Sequence, residues 1–133
     1  MNKQPSPVMR MRLWLETRDG LLFGLGRAQL LKKIDEHGSL KKAADDLGMS
    51  YRAAWGKIKK TEEILGTPLI EQGGSKREGY HLTDTGRSLM ESFLTWFEEV
   101  ERNALERAQE RLPWCVKGFS CDKPGSELKR PEK

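Results

Sequence analysis

The stretch from Ser39 to Leu65 constrains the fold more than any other part of the chain. Ser39 suits the position just ahead of a short helix, because its hydroxyl can accept from an orphan first-turn amide. Leu40, Ala43, Ala44 and Leu47 recur at helical spacing as inward positions, with Lys41, Lys42, Asp45 and Asp46 outside. Gly48 follows where a left-handed residue ends a helix. Met49 is an apolar turn residue. Ser50 caps a longer helix running to about Leu65, with Ala54, Ile58 and Leu65 inward. A short helix, a glycine turn and a longer helix form a helix-turn-helix. Ala43 and Ala44 are small where two helices cross closely.

The flanks complete a larger unit. Met11, Leu13 and Leu15 alternate, Arg18-Asp19-Gly20 signals a turn, and Leu21, Leu22 and Phe23 follow, which predicts a β-hairpin. Gly26 precedes a first helix with Leu30, Leu31 and Ile34 inward, closed by His37-Gly38. Past Leu65, Gly66 and Pro68 end the helical pattern. Leu69-Ile70 and Tyr80-His81-Leu82 read as two strands around a glycine-rich basic tip, Gly73 to Gly79, and so as a wing. Thr83 or Asp84 caps a long last helix that Pro113 stops. The expected fold is α+β, mainly α: a winged helix-turn-helix with an N-terminal β-hairpin and a long C-terminal dimerisation helix. Residues 1–8 read as a disordered lead-in, 9–112 as the domain, and 113–133 as a flexible tail rich in Lys, Pro, Gly and Ser.

Composition narrows the function classes. Hydrophobic residues are 36% and charged residues 33%, enough for one modest core. The net charge of +4 is mildly basic, so the placement of charge matters more than its sum. No apolar run approaches the roughly 20 residues of a membrane span. The first residues hold no apolar signal segment, so a cytoplasmic location is expected. Cys115 and Cys121 suit free thiols, and His37 and His81 are too far apart in sequence to suggest a metal site. No nucleophile–base pairing or phosphate loop stands out, so no enzyme and no cofactor is expected.

The helix-turn-helix points to double-stranded DNA. Its second helix offers outward residues near its N-terminus to base edges in the major groove. Those are Tyr51, Arg52, Trp55 and Gly56. Arg52 can donate two hydrogen bonds to guanine. Gly56 lets the helix lie deep. Lys57, Lys59 and Lys60 bring charge to phosphate distance. Ser39 and Ser50, at helix N-termini, can bind phosphates. Ser75, Lys76 and Arg77 sit at the wing tip, where backbone or minor-groove contact is expected. Trp55 taken alone also fits a core residue, and both roles stand open.

The last helix is acidic, so it should point away from DNA. Met90, Phe93, Phe97, Val100 and Ala104 form a heptad-like seam, widened by Trp96, which reads as a homodimer interface. Packing back on its own domain is the competing reading. A two-fold dimer would read an inverted-repeat operator. A protein-interaction or small-molecule-sensing module on a winged-helix scaffold is the alternative function.

The run Ser50-Tyr51-Arg52-Ala53-Ala54-Trp55 resembles the reading-helix start of the molybdate-responsive ModE regulators. Gly38-Ser39-Leu40, Ala43-Ala44, Leu69-Ile70-Glu71, Leu82-Thr83 and Gly86 are similar to the same domain, over roughly Met11 to Leu112. A broader likeness to LysR-type regulators lies in Ile58, Leu65-Gly66, Pro68-Leu69 and Leu82 to Gly86. The resemblance implies a homodimer held by the N-terminal strands and the last helix, with DNA contacts from Ser50, Tyr51, Arg52, Trp55 and the wing. Full-length ModE regulators add C-terminal oxyanion-binding domains, for which the residues from Trp114 onward are too few. The reading therefore allows a separate oxyanion sensor as a further partner. Lys76-Arg77-Glu78 also departs from a purer glycine run in the wing.

Overall fold

Strands β1 (Val8–Met9), β2 (Trp14–Thr17) and β3 (Gly20–Gly24) precede helices α1 (Leu25–His37), α2 (Leu40–Asp46) and α3 (Tyr51–Leu65). Strands β4 (Ile70–Gln72) and β5 (Tyr80–Leu82), helix α4 (Asp84–Arg111) and strand β6 (Lys117–Gly118) follow. The computed structural model describes residues 5–73 and 79–118. It divides into two units, Leu13–Thr95 and Met1–Arg12 with Trp96–Lys133.

In the Leu13–Thr95 unit, β2 and β3 form the expected antiparallel hairpin, with Thr17 opposite Gly20. Gly20 follows the turn at φ 125°, a conformation open to glycine. The register shifts between Leu15 and Glu16, so Leu22 has no cross-strand partner. Its carbonyl accepts instead from the Thr61 hydroxyl of α3 at 2.6 Å. Thr61 is fully buried, a polar residue on a core face that the hydrophobic pattern could not flag.

Helix α1 buries Ala28, Leu30, Leu31 and Ile34. Helix α2 starts at Ser39, whose Oγ accepts from the Lys42 amide at 3.0 Å. Its end is a Schellman turn: Met49 N–H donates to the Ala44 carbonyl and Gly48 N–H to Asp45, with Gly48 left-handed at φ 71°. Leu47, expected inward, is only half-buried, because it has become the C-cap residue. Ser50 caps α3 through the Ala53 amide at 3.0 Å. Ala54 and Ile58 are fully buried as expected. Leu65 is not: it is 39% exposed at the last helical residue, one turn beyond the covered Thr61.

The wing strands pair antiparallel, Ile70 opposite Leu82 and Gln72 opposite Tyr80. Beyond the ladder, Thr83 N–H donates to Leu69 O at the base, Gly73 N–H to Gly79 O toward the tip, and Tyr80 N–H to Gly38 O. Thr83, not Asp84, caps α4, its Oγ1 accepting from Gly86 N–H at 3.0 Å. Gly86 lies so close to the Leu69 carbonyl that an added Cβ would sit 2.1 Å from that oxygen. Arg87 of α4 holds Asp35 of α1 with two hydrogen bonds, 2.8 and 3.1 Å.

In the other unit, β1 pairs in parallel with β6, Val8 opposite Lys117. Gln109 closes the turn after α4: its Nε2 donates to the Val116 carbonyl and its Oε1 accepts from the Val116 amide. Val116 is buried. Within the segments expected as lead-in and tail, Val8 and Lys117–Gly118 belong to strands. Buried Val116, the Gln109 hydrogen bonds and the β1–β6 pairing together hold a segment whose average composition is polar. Residues 119–133, with Cys121, lie outside the described residues.

Candidate nucleic-acid interface

The geometry of α3 follows from its two faces. Ala54, Ile58 and Thr61 face the core. Arg52, Gly56 and Lys60, four residues apart, lie exposed on another side. Arg52 makes no ion pair among the described residues. Lys60 lies beside the hairpin turn, its Cε 3.3 Å from where a Cβ on Gly20 would stand. Ser39 and Ser50 already use their hydroxyls as caps, so their anion-binding potential lies in the remaining first-turn amides.

Tyr51, Trp55 and Tyr80 form an aromatic row. Tyr51 and Trp55 stack with ring centroids 6.4 Å apart and planes 9° from parallel. Trp55 meets Tyr80 at 6.0 Å. Trp55 is half-buried, so it is neither a closed core residue nor a free probe. It joins α3 to strand β5 of the wing. Burial, with Tyr51 beside it, pushes the Tyr80 phenol pKa up. Tyr51 itself is 48% exposed.

The lysines differ in availability. The Lys59 ammonium stands 4.4 Å from the Trp55 ring centroid and 3.0 Å from Glu62 Oε1. Its charge is thus engaged within the chain. Glu62, absent from the sequence reading, accepts from the Leu69 amide at 2.7 Å and the Ile70 amide at 3.3 Å through Oε2. It fastens the wing's first strand to α3. Lys57 is half-buried, and its carbonyl accepts from Arg27 Nε at 3.1 Å. Arg27 is a second buried polar residue that the sequence pattern missed, and desolvation lowers its pKa. Ser75, Lys76 and Arg77 lie outside the described residues.

The expected dimer seam divides. Met90, Phe93 and Phe97 are already buried within the single chain. Phe93 packs edge-on against Phe23 at 5.4 Å, which fits the packing-back alternative. Val100 and Ala104 are half-exposed and Trp96 is exposed. Among the described residues, His37 pairs with Asp46 and His81 with Glu71, and no group of three metal-binding side chains forms. No helix there is long and apolar enough to cross a membrane.

Residues 25–87 match the bacterial regulatory helix-turn-helix protein, lysR family. The chain is 35% identical over 104 residues to the molybdenum transport protein ModE of Azotobacter vinelandii, covering 76% of this chain and 38% of that protein. It is 30% identical over 100 residues to the transcriptional regulator ModE of Haemophilus influenzae, covering 74% and 36%. The chain spans less than half the length of these relatives. The BenM_DBD/benA site 1 DNA complex matches with a TM-score of 0.55 at 22% identity, over 66% of this chain and 99% of that one. At that identity the likeness shows the fold, a winged helix-turn-helix.

Proposed function

We propose that the chain, whose residues 25–87 match the lysR-family helix-turn-helix and which is similar to the ModE relatives, is a sequence-specific, double-stranded-DNA-binding transcriptional regulator that acts as a homodimer. The observation that carries the reading is the exposed side of α3. A helix capped by Ser50 presents Arg52, Gly56 and Lys60 outward while Ala54, Ile58 and Thr61 hold it to the core.

In this reading α3 enters the major groove by its N-terminal half. Arg52 donates to a guanine edge. Tyr51 and Trp55 border the contact. Lys57 and Lys60 meet phosphates, as do the amides at the starts of α2 and α3. Lys59 contributes less, since Glu62 neutralises it. Ser75, Lys76 and Arg77 of the wing reach backbone or minor groove. Trp96, Val100 and Ala104 are the seam residues left accessible for pairing, so a dimer reads an inverted repeat in the cytoplasm. The relative named for molybdenum transport supports target genes in the handling of molybdenum or a related oxyanion, with an oxyanion-binding partner as the source of the signal.

The test is selection of a short duplex from a random-sequence pool, followed by anisotropy titrations across salt concentrations. Arg52→Ala should cost about 1–3 kcal/mol at the selected site and relax base preference at one position. Unchanged affinity and preference in that variant would remove Arg52 from the contact. Trp96→Asp should shift sedimentation toward the monomer; an unchanged dimer would put the interface elsewhere.

A further inference from the structure

Gly56 is a glycine that the fold has no use for. It is the sixth of the 15 residues of an unbroken helix. Glycine in a helix interior is destabilising relative to alanine, since it loses more backbone freedom on folding. A chain keeps such a residue for a left-handed turn or for close packing. Gly48 and Gly66 serve the first purpose, with φ of 71° and 76°. Gly86 serves the second, against the Leu69 carbonyl. Gly56 serves neither. Its φ is an ordinary helical one, and a Cβ built on it meets no heavy atom within 4 Å.

Unlike Gly26 in the first turn of α1, Gly56 lies mid-helix on the exposed side that carries Arg52 and Lys60, which points to a reason outside the chain. We propose that Gly56 is a specificity-determining residue of the DNA-reading face, the point where the α3 backbone comes nearest to base edges. The inference rests on the regulator reading and deepens it. Gly56 sits midway between Arg52 and Lys60, one turn from each. A side-chain-bearing helix is about 10–12 Å across and the major groove about 12 Å wide, so the fit leaves little slack. Omitting one Cβ brings the backbone closer by about one carbon–carbon bond, roughly 1.5 Å. That approach lets Arg52 reach a base edge instead of stopping at the phosphates. Sequence discrimination depends on it, whereas phosphate attraction does not.

The experiment compares the wild-type chain, Gly56→Ala and Gly26→Ala. Gly26 is the internal control: it too is exposed, helical, and open to an added Cβ, but it lies in the first turn of α1. Each protein is melted and then titrated with the duplex that the wild type selected and with an unselected pool. Gly56→Ala should raise Tm while losing about 5- to 150-fold in affinity for the selected duplex, the range for one spoiled base-pair contact. Its affinity for the unselected pool should hold. Gly26→Ala should raise Tm and change neither affinity. Equal binding of the selected duplex by Gly56→Ala and wild type would overturn the inference and leave the regulator reading intact. Equal losses for both duplexes, or a like loss in Gly26→Ala, would overturn it also, by making the effect unspecific. A wild type that selects no preferred duplex would remove the reading and the inference together.

Discussion

Glu62→Ala tests how the wing is fastened to the reading helix. The Glu62 side chain is only 10% exposed. Its Oε2 accepts from the Leu69 amide at 2.7 Å and from the Ile70 amide at 3.3 Å. A hydrogen bond to a charged acceptor contributes about 1.5–3 kcal/mol, and the longer second bond about 0.5–1 kcal/mol. Removing the carboxylate leaves both donors without that acceptor, so the loss should be about 2–4 kcal/mol, against a typical total of 5–15 kcal/mol. Glu62→Gln keeps an acceptor oxygen without the charge and should lose about half as much. Lys59→Ala breaks the ion pair at 3.0 Å and the contact with the Trp55 ring, both at a lysine 42% exposed, and should cost about 1 kcal/mol. Urea unfolding of the three variants gives the order, and hydrogen exchange gives the location. The Leu69 and Ile70 amides should exchange faster in Glu62→Ala while core amides of α1 are less affected. A loss in Glu62→Ala no larger than in Lys59→Ala would refute the reasoning, as would unchanged protection at those two amides.

Gly86→Ala places a Cβ 2.1 Å from the Leu69 carbonyl oxygen. It should destabilise by about 1–3 kcal/mol through forced backbone movement, although alanine is the better helix former; a higher Tm would show that the wing base yields freely. Asp35 has its pKa lowered from 3.8, first by its hydrogen bonds to Arg87. The stabilisation is thus fully present above the unfolded pKa and is lost as pH falls through the lower folded one. Asp35→Asn should lower stability at neutral pH and flatten its decline on the acid side, and an unaltered pH profile in unfolding experiments would sink the assignment.

The elements of the helix-turn-helix were legible because each boundary has a chemical marker. Ser39 and Ser50 cap, and Gly38, Gly48 and Gly66 take left-handed conformations that other residues resist. The ladder of buried aliphatic residues in α1 followed directly from spacing. Polar residues that bond to distant parts of the chain were not legible. Thr61, Arg27 and Glu62 sit at helix positions where composition suggests surface, and only their distant partners at Leu22, Lys57 and Leu69 explain them. Lys59 read as a free cation for the same reason, since Glu62 was not recognised beside it. The seam of α4 was visible as a pattern, but a pattern cannot say who covers it. Phe23 covers Phe93, and that contact spans the chain. Leu65 fits the inward period of α3, yet period alone cannot show where the covering elements stop.

The parallel pairing of β1 with β6 also bears on the order in which the chain folds. Val8 and Lys117 stand more than a hundred residues apart in sequence, and each strand has two residues. Closing so long a loop costs entropy that rises with the logarithm of its length, and so short a ladder returns little for it. Parallel strands cannot be joined by a tight turn, so this ladder has no local route to formation. Helix α4 and the Gln109–Val116 turn must be in place first to bring Lys117 near its partner. The pairing should therefore form last during folding and open first in native-state exchange. Probes attached to either strand would report this early opening, at a free energy below that of global unfolding.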